Sequence, residues 1–298
     1  MLDFGKLLVT GASGHSAKYF FEKLEQEGYT KKINCLVREK SNTDHLKDLS
    51  LNFEFKIVDL DDIETLINSM RDVKVVLHIA HISLSKKILE AGKIAGVDWI
   101  ICVHTTGRYS KFKSASLEYI SIEEELLKEY SNLTILRPTM IYGSSMDVNM
   151  WKLINYMNKN KFFPVFGKGK NLMQPVLAKD LGYAYYKILQ NRKKTFGKEY
   201  NLPGGEKISY ISLLKKVASL LDKKIFFIHL PLWFSLLAAY IMNKVFGSRF
   251  PISVEQVLRM KEDKVFSFEK ANKDFGYSPS NFSDGIQQEV KEFLKQEY

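Results

Sequence analysis

Through the first half of the chain, short apolar runs alternate with stretches of helical spacing. Residues 6–10, 33–37, 54–58, 73–78, 99–104 and 133–137 read as strands, and 16–27, about 44–49, 63–70, 83–95 and about 114–130 as helices. A strand–turn–helix alternation of this kind predicts crossover units and a parallel sheet. Val-Val-Leu-His-Ile-Ala at 75–80 and Trp-Ile-Ile-Cys-Val at 99–103 are almost continuously apolar, as strands buried on both faces require. The expected class is α/β with a doubly wound parallel sheet.

The alternation loosens after Gly143. Strands are expected at 162–166, 175–177 and 198–202, and helices at 179–190, 209–221 and 283–295. Residues 1–146, with 171–205 returning to them, are expected to form one unit, and 147–298 mainly a smaller lobe. Residues 225–243 carry no Asp, Glu, Lys or Arg, but Pro231 interrupts a stretch already at the lower limit for a membrane span. The reading there is strand, turn and buried helix. Within 230–246, Trp233, Phe234, Leu236, Leu237, Tyr240, Ile241 and Val245 make a broad apolar helical face. Core packing, a homodimer face, and a peripheral membrane or partner contact with Lys244 and Arg249 at its end are the alternatives.

Composition narrows the picture. The 298 residues are 45% hydrophobic and 26% charged, with 17 Gly and 7 Pro, which excludes disordered and collagen-like classes. Lys and Arg total 44 against 34 Asp and Glu, a net charge of +10. The excess is scattered, with none of the like-charge blocks of a nucleic-acid-binding arm, so it points instead to a phosphate-bearing small molecule. Cys35 and Cys102 lie inside apolar runs and behave as small buried hydrophobes, so a reducing, cytoplasmic setting is expected. The opening residues lead straight into a strand-like run, and no signal peptide is expected.

The clearest chemistry lies at Thr10-Gly11-Ala12-Ser13-Gly14-His15-Ser16-Ala17, a Gly-rich turn after a strand and before an amphipathic helix. Gly11 permits the tight turn, and Gly14 lets the backbone approach a pyrophosphate at the helix N-terminus. Gly11, Ser13, Gly14 and His15 are therefore candidate dinucleotide contacts in a Rossmann unit. A nucleophilic serine turn fails, because His15 stands where G-x-S-x-G needs glycine. Arg38 at the end of the second strand suits a 2′-phosphate, so NADP is expected ahead of NAD. Asp59 and Leu60 can supply a carboxylate and an amide to the adenine, although Asp59, Asp61 and Asp62 also compete to cap the next helix.

Together with Val58-Asp59-Leu60, Val-Leu-His-Ile-Ala-His at 76–81 and Leu-Arg-Pro-Thr-Met-Ile-Tyr-Gly at 136–143, this turn resembles the short-chain dehydrogenase/reductase superfamily. It is more closely similar to the extended and atypical branch of NAD-dependent epimerase/dehydratase and NmrA-like proteins. Residues 174–180 and 200–205 resemble later landmarks of that branch; Ala17 departs from it, where a third Gly is usual. The resemblance implies that Ile79, Ala80 and His81 line the cofactor, and that Pro138 to Ile141, including Met140, meet its nicotinamide end. It also implies a C-terminal lobe that holds substrate.

The superfamily's chemistry uses a Tyr acid/base with a Lys four residues on, and a Ser or Thr at the end of the fifth strand. Thr105 and Thr106 occupy that strand end, and Tyr109-Ser-Lys-Phe-Lys113 has the literal spacing, expected to put Tyr109 and Lys113 on one helix face. A second register, anchored by Glu123 and Leu126, puts Ala115 and Tyr119 at the Tyr and Lys positions and leaves no dyad. A third, Tyr119 with Glu123, is poor chemistry, because a carboxylate raises a phenol's pKa. His78 and His81 lack companion ligands, so no metal is expected.

Two functions stay open. One is an NAD(P)-dependent oxidoreductase or epimerase/dehydratase acting on a nucleotide-sugar or another small polar carbonyl or hydroxyl compound. The other is a non-catalytic NAD(P)-binding redox-sensing or assembly protein.

Overall fold

A computed structural model describes residues 4–231, 233–234, 236–237, 240–241, 244 and 254–297, with side chains for all of these except 113–115, 256 and 297. Seven strands form one parallel sheet: β1 (Leu7–Thr10), β2 (Ile33–Val37), β3 (Phe53–Ile57), β4 (Val75–His78), β5 (Trp99–Val103), β6 (Leu133–Pro138) and β11 (Glu199–Leu202). Their order is β11-β6-β5-β4-β1-β2-β3. The winding reverses between β1 and β4, which opens a crevice at the C-terminal ends of those strands.

Alternation along each strand serves both faces. In β1, Leu7 and Val9 join a core with Phe20, Phe21 and Leu24 of α1 (His15–Gln26), whereas Leu8 joins the opposite core. That second core takes Leu66 of α2 (Ile63–Ser69), Ile88 and Leu89 of α3 (Ser85–Ala95), and Ile122 and Leu126 of α4 (Lys113–Glu129). Next come α5 (Asn149–Lys159), α6 (Ala178–Gln190), α7 (Arg192–Thr195) and α8 (Tyr210–Leu220). Helix α6 packs on α1 so closely that a Cβ on Gly182 would lie 2.5 Å from the Phe20 amide nitrogen. Close backbone approach is thus supplied from Gly182, while Ala17 is fully buried.

Beside the sheet lie three short pairs: β7 (Ile141–Tyr142) with β10 (Val176–Leu177), β8 (Phe162–Phe166) with β13 (Phe226–Leu230), and β9 (Leu172–Met173) with β12 (Ile208–Ser209). A third core gathers Met150, Ile154 and Met157 of α5, Leu213, Leu214 and Val217 of α8, and Ile286, Val290 and Phe293 of the helix Phe282–Glu297.

Three sequence expectations change. Residues 44–49 yield only a 3₁₀ turn, Asp44–Leu46. Helix α5 was not foreseen. The buried helix expected after Pro231 is corrected: at the described positions the chain is helical, but Trp233, Phe234, Leu237, Tyr240 and Ile241 are exposed. The third core is already built from α5, α8 and the helix Phe282–Glu297. Val245 and Arg249 lie outside the described residues.

Candidate active site

A cavity of about 710 Å³ opens at the reversal point. Gly11, Ser13, Gly14, His15, Arg38, Asp59, Leu60, Ile79, Ala80, His81 and Met140 all line it. Pro138 does not line it; its carbonyl instead accepts a 3.2 Å hydrogen bond from the Thr106 hydroxyl. Gly11 has φ +72°, and a Cβ there would come within 2.8 Å of the Ala80 nitrogen, so only glycine fits between the first and fourth strand ends. Gly14 caps α1 without a side chain, leaving first-turn amides for an anionic group.

Asp62 settles the competition among the three carboxylates. It caps α2 by accepting from the amides of Glu64 and Thr65, at 3.1 and 3.3 Å. Asp59 stays on the cavity wall, where its carboxylate accepts from the Asp61 amide at 2.9 Å. Ser41, whose hydroxyl accepts from the Arg38 amide at 3.0 Å, joins Arg38 there. Sequence reasoning missed Ser41, although its position three residues beyond Arg38 could have suggested the turn.

The loop after β7 closes the other side through Met146, Asp147, Val148 and Asn149, none of which carries a local signature. His15 and the Ser144 hydroxyl share a 2.8 Å hydrogen bond, and burial lowers the imidazole to about 4, so His15 is neutral near pH 7. The helix Phe282–Glu297 grips the same loop: Glu289 accepts from the Gly143 amide at 2.8 Å and Glu292 from the Ser145 amide at 3.1 Å. Burial, with Asp147's charge, pushes the Glu289 carboxyl up to about 8.

A second cavity, about 690 Å³, adjoins the first and shares Thr139, Met140 and Asn149 with it. Its wall holds Thr105, Thr106 and Tyr109 together with Arg259, Lys261, Lys264 and Phe266. The Tyr109 ring lies 5.3 Å from that of Phe266; its hydroxyl donates to Asn201 Oδ1 at 3.1 Å and accepts from Arg137 Nη1 at 3.2 Å. Burial and the Arg259 charge lower the Lys264 pKa. Glu262 ties the loop after Tyr109 to this wall by accepting from the Ser110 hydroxyl at 2.9 Å and the Lys111 amide at 2.6 Å. The 259–266 segment is distant in sequence from every motif and was missed for that reason.

Behind Tyr109 lies a buried ionic knot. Glu123 bonds His104 Nδ1 at 3.0 Å and accepts from Arg137 Nε and Nη2 at 2.8 and 2.6 Å, and Arg108 also reaches it. Burial pushes the Glu123 carboxyl up, but the hydrogen bonds from His104 and Arg137 and the Arg137 charge outweigh it and hold it at about 2.

The expectation that Tyr109 and Lys113 share a helix face is corrected. Tyr109 ends the 3₁₀ turn Thr106–Tyr109, Ser110 and Phe112 are extended, and Lys113 is the first residue of α4. Helical i, i+4 geometry therefore does not apply, and the Lys113 side chain lies outside those described. Glu123 and Leu126 do anchor α4 to β6, as the second register supposed.

The fold and the segment carrying the glycine turn have counterparts among known proteins. Residues 7–97 match the model of the NAD dependent epimerase/dehydratase family. The matched segment contains the Gly-rich turn, Arg38, Asp59 and the loop after β4. Over 175 residues the chain is 27% identical to N-acetyl-alpha-D-glucosaminyl-diphospho-ditrans,octacis-undecaprenol 4-epimerase of Escherichia coli O157:H7, covering 55% of this chain and 52% of that protein. The chain thus matches about half the length of that relative. Over 83 residues it is 34% identical to the NADH dehydrogenase [ubiquinone] 1 alpha subcomplex subunit 9 of Arabidopsis thaliana, covering 28% of this chain and 20% of that one. The UDP-glucuronic acid 4-epimerase of Bacillus cereus, solved with UDP-glucuronic acid and NAD, shares the fold at TM-score 0.76 and 20% identity, with 98% of this chain and all of that chain covered.

Proposed function

We propose that the chain is an NAD(P)-dependent oxidoreductase of the epimerase/dehydratase kind, acting on a sugar carried on a diphosphate. The observation that carries this reading is that two cavities share Thr139, Met140 and Asn149 as lining: one holds the glycine turn and the end of α1, the other hydroxyls and cations. The fit to a dinucleotide rests on the tight turn at Gly11, where a Cβ would strike the Ala80 backbone, and on the open cap of α1. A nicotinamide bound there supplies hydride acceptance and return. The names of two of the relatives point to the same substrate class, since they carry sugars on UDP or on a polyprenyl diphosphate.

In this reading Tyr109 holds the proton exchanged with the reacting hydroxyl. Arg137 Nη1 donates to the Tyr109 hydroxyl at 3.2 Å and orients it, the positioning part a lysine plays in the Tyr-Lys pair. Thr105 and Thr106 orient the substrate oxygen, and Arg259, Lys261 and Lys264 face the diphosphate. Arg38 with Ser41 favours NADP over NAD. A reducing compartment suits Cys35 and Cys102, both buried and unpaired.

The test is incubation of the protein and either dinucleotide with UDP-glucose, UDP-glucuronic acid and dTDP-glucose, followed by product separation. Conversion of one of them supports the reading. Tight dinucleotide binding with no conversion of any supports the second reading, a dinucleotide-binding assembly protein. That alternative is favoured by Ala115 and Tyr119 occupying the dyad positions in the register that Glu123 anchors, and by the likeness to the Arabidopsis subunit.

A further inference from the structure

The two-stranded ribbon β8/β13 has unlike surroundings on its two faces. Val165 is buried in the third core, with Phe163 and Phe227 packed against it. The opposite positions are Phe162, Pro164 and Phe166 in β8, paired in register with Phe226, Ile228 and Leu230 in β13. All six are apolar, yet Phe162 is 57% and Phe226 62% exposed, their rings stacked at 5.7 Å. A solvent-facing ribbon normally carries polar residues on that side.

The chain passes from this ribbon through Pro231 to the described helical positions 233, 234, 236, 237, 240, 241 and 244. Trp233, Leu237, Tyr240 and Lys244 fall at i, i+4, i+7 and i+11, a single helical stripe. Trp233 is 69% and Tyr240 59% exposed. Aromatic residues of this kind, set beside lysines, match the boundary between headgroups and acyl chains.

Charge selects the partner. In 159–170 and 222–244 there are seven lysines (159, 161, 168, 170, 223, 224 and 244) and one acidic residue, Asp222. All seven lysines are exposed. They flank the apolar ribbon at both ends and close the helical stripe. A protein interface core is depleted of lysine, whereas an anionic bilayer surface attracts it. Among the described residues no helix is long and apolar enough to cross a membrane, so the contact lies on the surface.

We propose that the outer face of the β8/β13 ribbon and the exposed stripe at 233–244 dock the protein onto an anionic lipid bilayer. The rings of Phe162, Phe226 and Trp233 enter the headgroup boundary, and the lysines around them meet lipid phosphates. The proposal is independent of the catalytic reading: a chain without turnover would still bind.

Co-sedimentation of the full chain with phosphatidylcholine vesicles, with and without phosphatidylglycerol, tests it. Binding to the mixed vesicles is expected, falling with added salt and at least about tenfold weaker without the anionic lipid. Trp233→Glu and Phe226→Ser should each lose about tenfold or more, and the double variant Lys161→Glu/Lys224→Glu a similar factor. Unchanged melting temperature and dinucleotide affinity show that these variants fold. Failure of the wild type to sediment with mixed vesicles, or undiminished binding by Trp233→Glu, overturns the proposal. So does a wild-type dimer in analytical ultracentrifugation that Trp233→Glu converts to monomer, since a second copy would then cover this face.

Discussion

The guanidinium of Arg137, at the end of β6, donates from Nε and Nη2 to the Glu123 carboxylate on α4, and from Nη1 to the Tyr109 hydroxyl. One side chain thus joins the buried knot that fixes α4 to the wall of the second cavity. Glu123 is fully buried and Arg137 nearly so.

Removing the carboxylate leaves Arg137 and His104 without their common partner. Arg137 keeps Glu199 as a partner, so Glu123→Ala is expected to destabilise the fold by about 3 kcal/mol, the low end for breaking a buried pair. Glu123→Gln, which keeps an acceptor, should cost less. Because the folded pKa is depressed to about 2, this group's stabilisation is present above the unfolded carboxylate value and is lost as pH falls towards 2. Urea titrations between neutral and acid pH measure it; a Glu123→Ala protein as stable as wild type would contradict the assignment.

Glu289 has the opposite sign. Its folded pKa is raised to about 8, so its contribution is fully present below the unfolded value and is lost as pH rises through about 8. Wild type should therefore lose stability progressively from the unfolded carboxylate value of 4.5 up to about pH 8. Glu289→Gln keeps an acceptor for the Gly143 amide and should flatten that dependence. Denaturant midpoints of the two proteins across this range check it, parallel curves being the contrary result.

Arg38 and Ser41 predict dinucleotide choice. Arg38→Ala should weaken NADP binding roughly tenfold or more, the worth of a charge-assisted hydrogen bond, and leave NAD nearly unchanged. Isothermal titration with both dinucleotides reads this directly, and equal losses for the two would remove the 2′-phosphate argument.

The sheet and the crevice at its reversal point were legible because their signals are local. Near-continuous apolar strands, a Gly turn between strand and helix, and Arg38 and Asp59 at strand ends each fix a position within a few residues. The second cavity was half legible. Thr105, Thr106 and Tyr109 follow β5 directly, but Arg259, Lys264 and Phe266 reach them only through tertiary folding. The Tyr109–Lys113 spacing misled because i, i+4 geometry holds only inside a helix, and α4 begins at Lys113. Trp233 and its neighbours have helical spacing whether a helix faces core or solvent, so periodicity alone could not distinguish burial from exposure.

The most direct test of the catalytic account compares wild type with Tyr109→Phe for turnover of the diphosphate-linked sugar, with dinucleotide affinity measured on the same samples. The account predicts a fall in turnover of about 10²–10⁴-fold, the contribution of a positioned acid/base, with dinucleotide affinity held within about twofold. Turnover unimpaired in Tyr109→Phe would contradict it.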